Sequence, residues 1–144
     1  MAEEKQRVVL ATHNAGKVRE LAGPLADFGV EVIGLEAFPQ IEDIEETGTT
    51  FEENALIKAR AVAGITGLIS VADDSGLMVE ALGGRPGVYS ARYSDDWQSL
   101  PGEGRDQRNI RKLLHELADV PEGRRACCFV SCMAAVRPDG GEMV

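Results

Sequence analysis

The stretch Ile69-Ser70-Val71-Ala72-Asp73-Asp74-Ser75-Gly76 constrains this chain more than any other. A short β-branched apolar run reads as a buried strand, and it stops at two adjacent carboxylates, a hydroxyl and a glycine. Neighbouring carboxylates repel unless a proton or a cation separates them. Open α/β sheets place their ligands beyond the carboxyl ends of their strands. Two readings follow: a catalytic rim that holds a divalent metal, or a turn in which Asp and Ser satisfy nearby backbone groups.

The chain has 144 residues, of which 44% are hydrophobic, enough for one domain with its own core. No run approaches the about 20 apolar residues that cross a bilayer, so no membrane partner is expected. The charged lead from Met1 to Arg7 runs straight into a strand-like segment and does not read as a secretory signal. Cys127, Cys128 and Cys132 are odd in number and lack CxxC spacing, so they read as small core residues in a reducing, cytoplasmic setting. The net charge of -9 disfavours nucleic acid as a partner. A phosphorylated ligand would need a local site of amides, lysine and metal.

Arg7 to Ala11 reads as a first strand, and Val18, Leu21, Ala22, Leu25 and Phe28 recur at helical spacing after it. Between them lies Thr12-His13-Asn14-Ala15-Gly16-Lys17. A strand, polar loop and helix in that order aim backbone N–H groups and the positive helix end at one spot, and Lys17 adds a point charge. The loop suits a triphosphate, although it is not a Walker loop. It is equally an ordinary turn capped by Thr12 or Asn14. Pro24 should kink the helix or break it at Gly23. Val30 to Leu35 reads as a second strand. An acidic loop ends at Glu45-Glu46-Thr47-Gly48, and a helix opens at Thr49 or Thr50, where Thr50 and Glu53 form a capping box. Phe51, Ala55, Ala59 and Val62 mark its buried face. Lys58 lies beside that stripe, either snorkelling to solvent or reaching an anion.

Leu77 to Leu82 is an extended stretch or a short helix. Gly83 to Gly87 is a rigid turn, and Ser94 to Gly104 a polar loop carrying Trp97. Asp106 should cap a helix with Ile110, Leu113, Leu114 and Leu117 inward and His115 outward. Neither histidine suggests a Ser-His-Asp or Cys-His arrangement. Arg125 to Val136 reads as a long strand, followed by a turn and a returning arm at Glu142 to Val144. A hairpin that stops there leads to the expectation that the natural domain is longer than this sequence.

Four segments together resemble the nucleoside triphosphate pyrophosphatases that act on noncanonical purine nucleotides. They are Thr12 to Lys17, Glu45 to Ala55, Ala72 to Leu77 and Gly87 to Tyr93, in the family's order and spacing. The resemblance implies an α/β fold with two lobes, a long mixed β-sheet, flanking helices and a central cleft, usually as a homodimer. It implies hydrolysis of inosine, deoxyinosine or xanthosine triphosphate to the monophosphate and pyrophosphate with magnesium. Carried across, Thr12, His13, Asn14, Ala15, Gly16 and Lys17 form the triphosphate loop. Asp74 is the general base and a metal ligand, Ser75 lies beside the substrate, and Lys58 approaches the phosphates. Glu45 or Glu46, with Glu46 favoured, is the second metal ligand. Asp73 is a supporting or structural acid. His13 stands where many members carry glycine. The family's base-reading segments, a stretch rich in glycine and aromatics and a Ser-His-Arg motif, have no counterpart in these residues. Two alternatives remain open: a nucleotide-binding module without turnover, and a related pyrophosphatase for modified pyrimidine nucleotides.

Overall fold

The computed structural model describes residues 5–144; the charged lead at residues 1–4 lies outside the described residues. The elements run β1 (Gln6–Leu10), α1 (Ala15–Ala26), β2 (Val30–Ile33), α2 (Phe51–Thr66), β3 (Ile69–Val79), α3 (Arg105–Glu116), β4 (Cys127–Val136) and β5 (Glu142–Met143), with short 3-10 turns between some of them. The strands form one mixed sheet in the order β2-β1-β3-β4-β5. β1 pairs in parallel with both β2 and β3, and β5 returns antiparallel to β4. A mixed five-stranded sheet flanked by helices is the expected fold class. The described residues divide into two compact units, one built from residues 5–73 and 132–144 and the other from residues 74–131.

The first unit is held by an apolar core in which Val9 and Ala11 of the β1 region, Ala72 of β3, and Ala134 and Val136 of β4 meet Ala55, Ala59, Val62 and Ala63 of α2. Small residues on α2 let the helix lie close to the sheet. Thr50 caps α2, its hydroxyl accepting from the Glu53 N–H at 3.1 Å. The Glu53 carboxylate turns instead to the Thr49 N–H at 2.8 Å, so the reciprocal half of the expected capping box is shifted by one residue. Gly67, at φ 69°, ends the helix in the left-handed region open to glycine. Pro24 does not break α1, which runs on through it from Gly23 to Ala26. It lies in the last turn on the exposed side, where water can meet the carbonyl left without its N–H partner.

In the second unit, α3 is joined to the preceding loop by Asn109, whose Oδ1 accepts from the Ser94 N–H at 2.9 Å and the Ser94 hydroxyl at 2.6 Å. Its Nδ2 donates to the carbonyls of Ser90 and Ala91. Arg111 grips Glu103 through two hydrogen bonds and lies over the Trp97 ring, which also meets His115 edge-on. Trp97 is thus a packing residue of its own loop. Tyr93 donates to Glu116 at 2.7 Å; burial first, and that bond second, pushes its phenol up to about 12, so it stays protonated at neutral pH.

Three further expectations are corrected. The cap of α3 is Gly104, with Asp106 in the first turn. Ile110 and Leu114 are more than half exposed, and of the expected inward residues only Leu117 is fully buried. Periodicity marks an apolar face but does not say that anything covers it. Cys127 and Cys128 are exposed and Cys132 is half-buried. They fall within the first six residues of β4, where Phe129 is also 86% exposed, while burial begins only at Ala134. No described helix is long and apolar enough to cross a membrane.

Candidate active site

β3 does not stop at its acids. It runs unbroken through Asp73-Asp74-Ser75-Gly76 to Val79, and a 3-10 turn at Glu80–Leu82 follows. What ends near the acids is the partner strand. The parallel register closes at Leu10 opposite Val71, and the Ala11 N–H donates to the Val71 carbonyl at 2.8 Å. Asp73 therefore lies just past the carboxyl end of the β1–β3 ladder, the position at which open sheets present ligand groups. The rim is one of pairing rather than of the strand itself.

Pleating separates the two aspartates. Ser70, Ala72 and Asp74 lie on the buried face of β3, and Asp74 is 6% exposed; Val71, Asp73 and Ser75 alternate onto the other face. The mutual repulsion inferred from their adjacency is relieved by geometry, because successive side chains of a strand point apart. Asp73 meets Lys17, with Nζ 3.2 Å from Oδ2. In the second unit, the Ser75 hydroxyl donates to that of Ser131 at 3.1 Å.

The loop from Thr12 to Lys17 is a helix entry. Asn14 is the cap of α1, its Oδ1 accepting from the N–H groups of Gly16 at 2.9 Å and Lys17 at 3.3 Å. The Thr12 hydroxyl accepts from the Asn14 N–H at 3.1 Å. A side chain at Gly16 would come within 3.1 Å of that Asn14 oxygen, so glycine keeps the cap intact. Two of the donors expected to meet phosphate are thus engaged by the cap, while the Asn14 Nδ2 remains a donor and the helix dipole is kept. His13 is exposed and lies 3.4 Å from Asp43.

Lys58 does not snorkel to solvent. Its Nζ lies 3.1 Å from a Glu46 oxygen and donates to the Asp73 carbonyl, with side-chain exposures of 16% for Lys58 and 23% for Glu46. One lysine thus ties the acidic loop to β3 at the end of the ladder. Glu45 is exposed, so Glu46 is the acid brought to the other site groups. The first unit therefore assembles Lys17, Glu46, Lys58 and Asp73 around the end of β1, and the second begins with Asp74 on the next residue of the same strand.

Carboxylate and carbonyl oxygens dominate here, which suits a hard cation. Among the described residues no group of three or more His, Cys, Asp or Glu is placed to hold a metal. Magnesium asks for less than that, because one or two carboxylates suffice when substrate phosphates and waters complete its octahedron. Glu46, the carboxylate that the first unit holds beside Lys58, suits such a role.

The model of the Ham1 family matches residues 8–144. This chain belongs to that family. A dITP/XTP pyrophosphatase of Nitratidesulfovibrio vulgaris is 65% identical over 136 residues, covering 94% of this chain and 66% of that protein. One from Mannheimia succiniciproducens is 56% identical over 133 residues, covering 92% of this chain and 64% of that protein. The chain thus spans slightly less than two thirds of the length of these curated relatives. Among solved structures, a dITP/XTP pyrophosphatase from Mycobacterium abscessus superposes with a TM-score of 0.81 at 45% identity, covering 96% of this chain and 69% of that one. A HAM1 protein from Coxiella burnetii gives 0.83 at 36% identity, covering 96% of this chain and 68% of that one. The family resemblance carried by the four sequence segments is borne out.

No local signal marks the pairing of Asp73 with Lys17, which spans 56 residues. Asn54 of α2 is fully buried. The available signal was a polar residue three positions after Phe51, within the apolar stripe of this Ham1 helix.

Proposed function

We propose that the chain hydrolyses noncanonical purine nucleoside triphosphates (inosine, deoxyinosine and xanthosine) to the monophosphate and pyrophosphate, clearing them from the nucleotide pool. The observation that carries this reading is the cluster at the end of the β1–β3 ladder, where Lys17 meets the Asp73 carboxylate and Lys58 joins Glu46 to the Asp73 carbonyl. The names of the relatives, dITP/XTP pyrophosphatases, supply the substrate class.

In this reading Thr12, His13, Asn14, Ala15, Gly16 and Lys17 bind the triphosphate, with Lys17 and Lys58 stabilising negative charge on the departing pyrophosphate. Asp74 takes the proton of the attacking water, and Ser75 lies beside the substrate. Glu46 and Asp74 would hold magnesium, which when bound neutralises phosphate charge. Asp73 keeps Lys17 oriented. No covalent step is involved. We further propose that residues 1–144 belong to one nucleotide pyrophosphatase domain, with a cytoplasmic location and a homodimer, without nucleic-acid or membrane partners.

A substrate panel with magnesium tests this. Pyrophosphate release from inosine and xanthosine triphosphates should exceed that from modified pyrimidine triphosphates by at least about tenfold, within what a built site can discriminate. The opposite order would assign the chain to pyrimidine clearance. Saturable nucleotide binding without product would make it a binding module.

A further inference from the structure

Asn54 is 0% exposed inside α2, where its buried neighbours are Ala55, Ala59, Val62 and Ala63. Asparagine is a weak helix former, and a buried amide needs partners for an acceptor and two donors. Only its acceptor is served: Oδ1 takes the Gly48 N–H at 2.7 Å. Nδ2 has no hydrogen-bond partner among the described residues. The Gly48 N–H can meet only the oxygen, which fixes the orientation of the amide. A side chain kept in a core with half its amide unpaired calls for an explanation, since an apolar residue would fill the space without that cost.

The bond it makes supplies one. Gly48 presses so closely on α2 that a Cβ there would fall 2.6 Å from Asn54 Oδ1 and 2.7 Å from Glu53 Cβ. The next N–H, that of Thr49, is held by Glu53 at 2.8 Å. Successive donors of the loop are thus clamped by successive side chains of the first helical turn. Two residues upstream is Glu46, whose carboxylate meets Lys58, one turn beyond Asn54 on the same helix.

We propose that Asn54 is a positioning residue: its buried amide fixes Gly48 and thereby holds the Glu46 carboxylate in place for a divalent cation. The identity of Glu46 as a metal ligand rests on the function proposed above.

The test compares the parent chain with Asn54→Leu, Gly48→Ala and the double variant, using Mn2+ alone as the probe. Mn2+ binding is read by electron paramagnetic resonance and the Gly48 amide by hydrogen exchange. Asn54→Leu keeps the branched side-chain skeleton but removes the acceptor, so Gly48 exchange should accelerate at least about tenfold. The Mn2+ dissociation constant should rise about tenfold, while the melting temperature moves by only a few degrees, a split that a purely structural role would not produce. Gly48→Ala disturbs the same junction from the loop side, so it should weaken Mn2+ similarly, and the double variant should be no worse than either single one. Parent-like Mn2+ affinity in Asn54→Leu overturns the proposal; so do additive losses, or a parent without a saturable Mn2+ site. If Asn54→Leu does not fold, parent-like affinity in Gly48→Ala overturns it alone. Pyrophosphate release is assayed separately, so a parent that binds Mn2+ with this coupling yet releases none would refute the enzymatic reading and leave the role of Asn54 standing.

Discussion

Asp74→Asn is expected to lower magnesium-dependent pyrophosphate release by about 10²- to 10⁴-fold, the range of general-base contributions. The melting temperature should stay within a few degrees of the parent's, because the amide has the carboxylate's shape. Asp74 is buried on the Ser70–Ala72 face of β3, so an isosteric group is accommodated where a larger one would not be. The amide cannot take up a proton from water and is a poorer ligand for a hard cation. Asp73→Asn supplies the contrast: Asp73 lies on the opposite face and meets Lys17, so its loss should act mainly on nucleotide affinity. Steady-state kinetics and thermal melting of both variants check this, and unchanged turnover in Asp74→Asn would remove Asp74 from the chemistry.

Lys58→Met carries the second large effect, on stability as well as rate. Methionine keeps most of the apolar stem but loses the ammonium that joins Glu46 to the Asp73 carbonyl. Losing the ion pair and the hydrogen bond of a part-buried lysine costs about 1–3 kcal/mol. The urea midpoint should fall accordingly, at unchanged slope. Turnover should fall as well, because Glu46 loses its anchor and the phosphates a cation. A variant as stable as the parent would show that Lys58 is not a strut of this site.

The local parts of the fold were legible. Thr50 before a glutamate-rich first turn announced α2, and the polar residues before Val18 announced the entry of α1. Both are signals carried by neighbours in sequence. The course of β3 was not legible, because Asp, Ser and Gly are weak strand formers and its continuation to Val79 depends on partners far along the chain. The periodicity of α3 placed Ile110 and Leu114 on one face correctly, but coverage of a face is a tertiary property. The apolar run with the cysteines read as core for the same reason. At the candidate site, Lys17, Glu46 and Asp73 were legible as members of the four motifs. Their division was not: that Asp73 serves Lys17, that Lys58 spans Glu46 and β3, and that Asn54 is buried all depend on pairings across the fold.

The most direct measurement is the product of inosine triphosphate incubated with the 144-residue chain and magnesium, followed by 31P nuclear magnetic resonance. Pyrophosphate and inosine monophosphate should appear in equal amounts, with no orthophosphate, and chelating the metal should stop the reaction. Release of orthophosphate with inosine diphosphate, or nucleotide recovered intact from a saturated chain, would contradict the account.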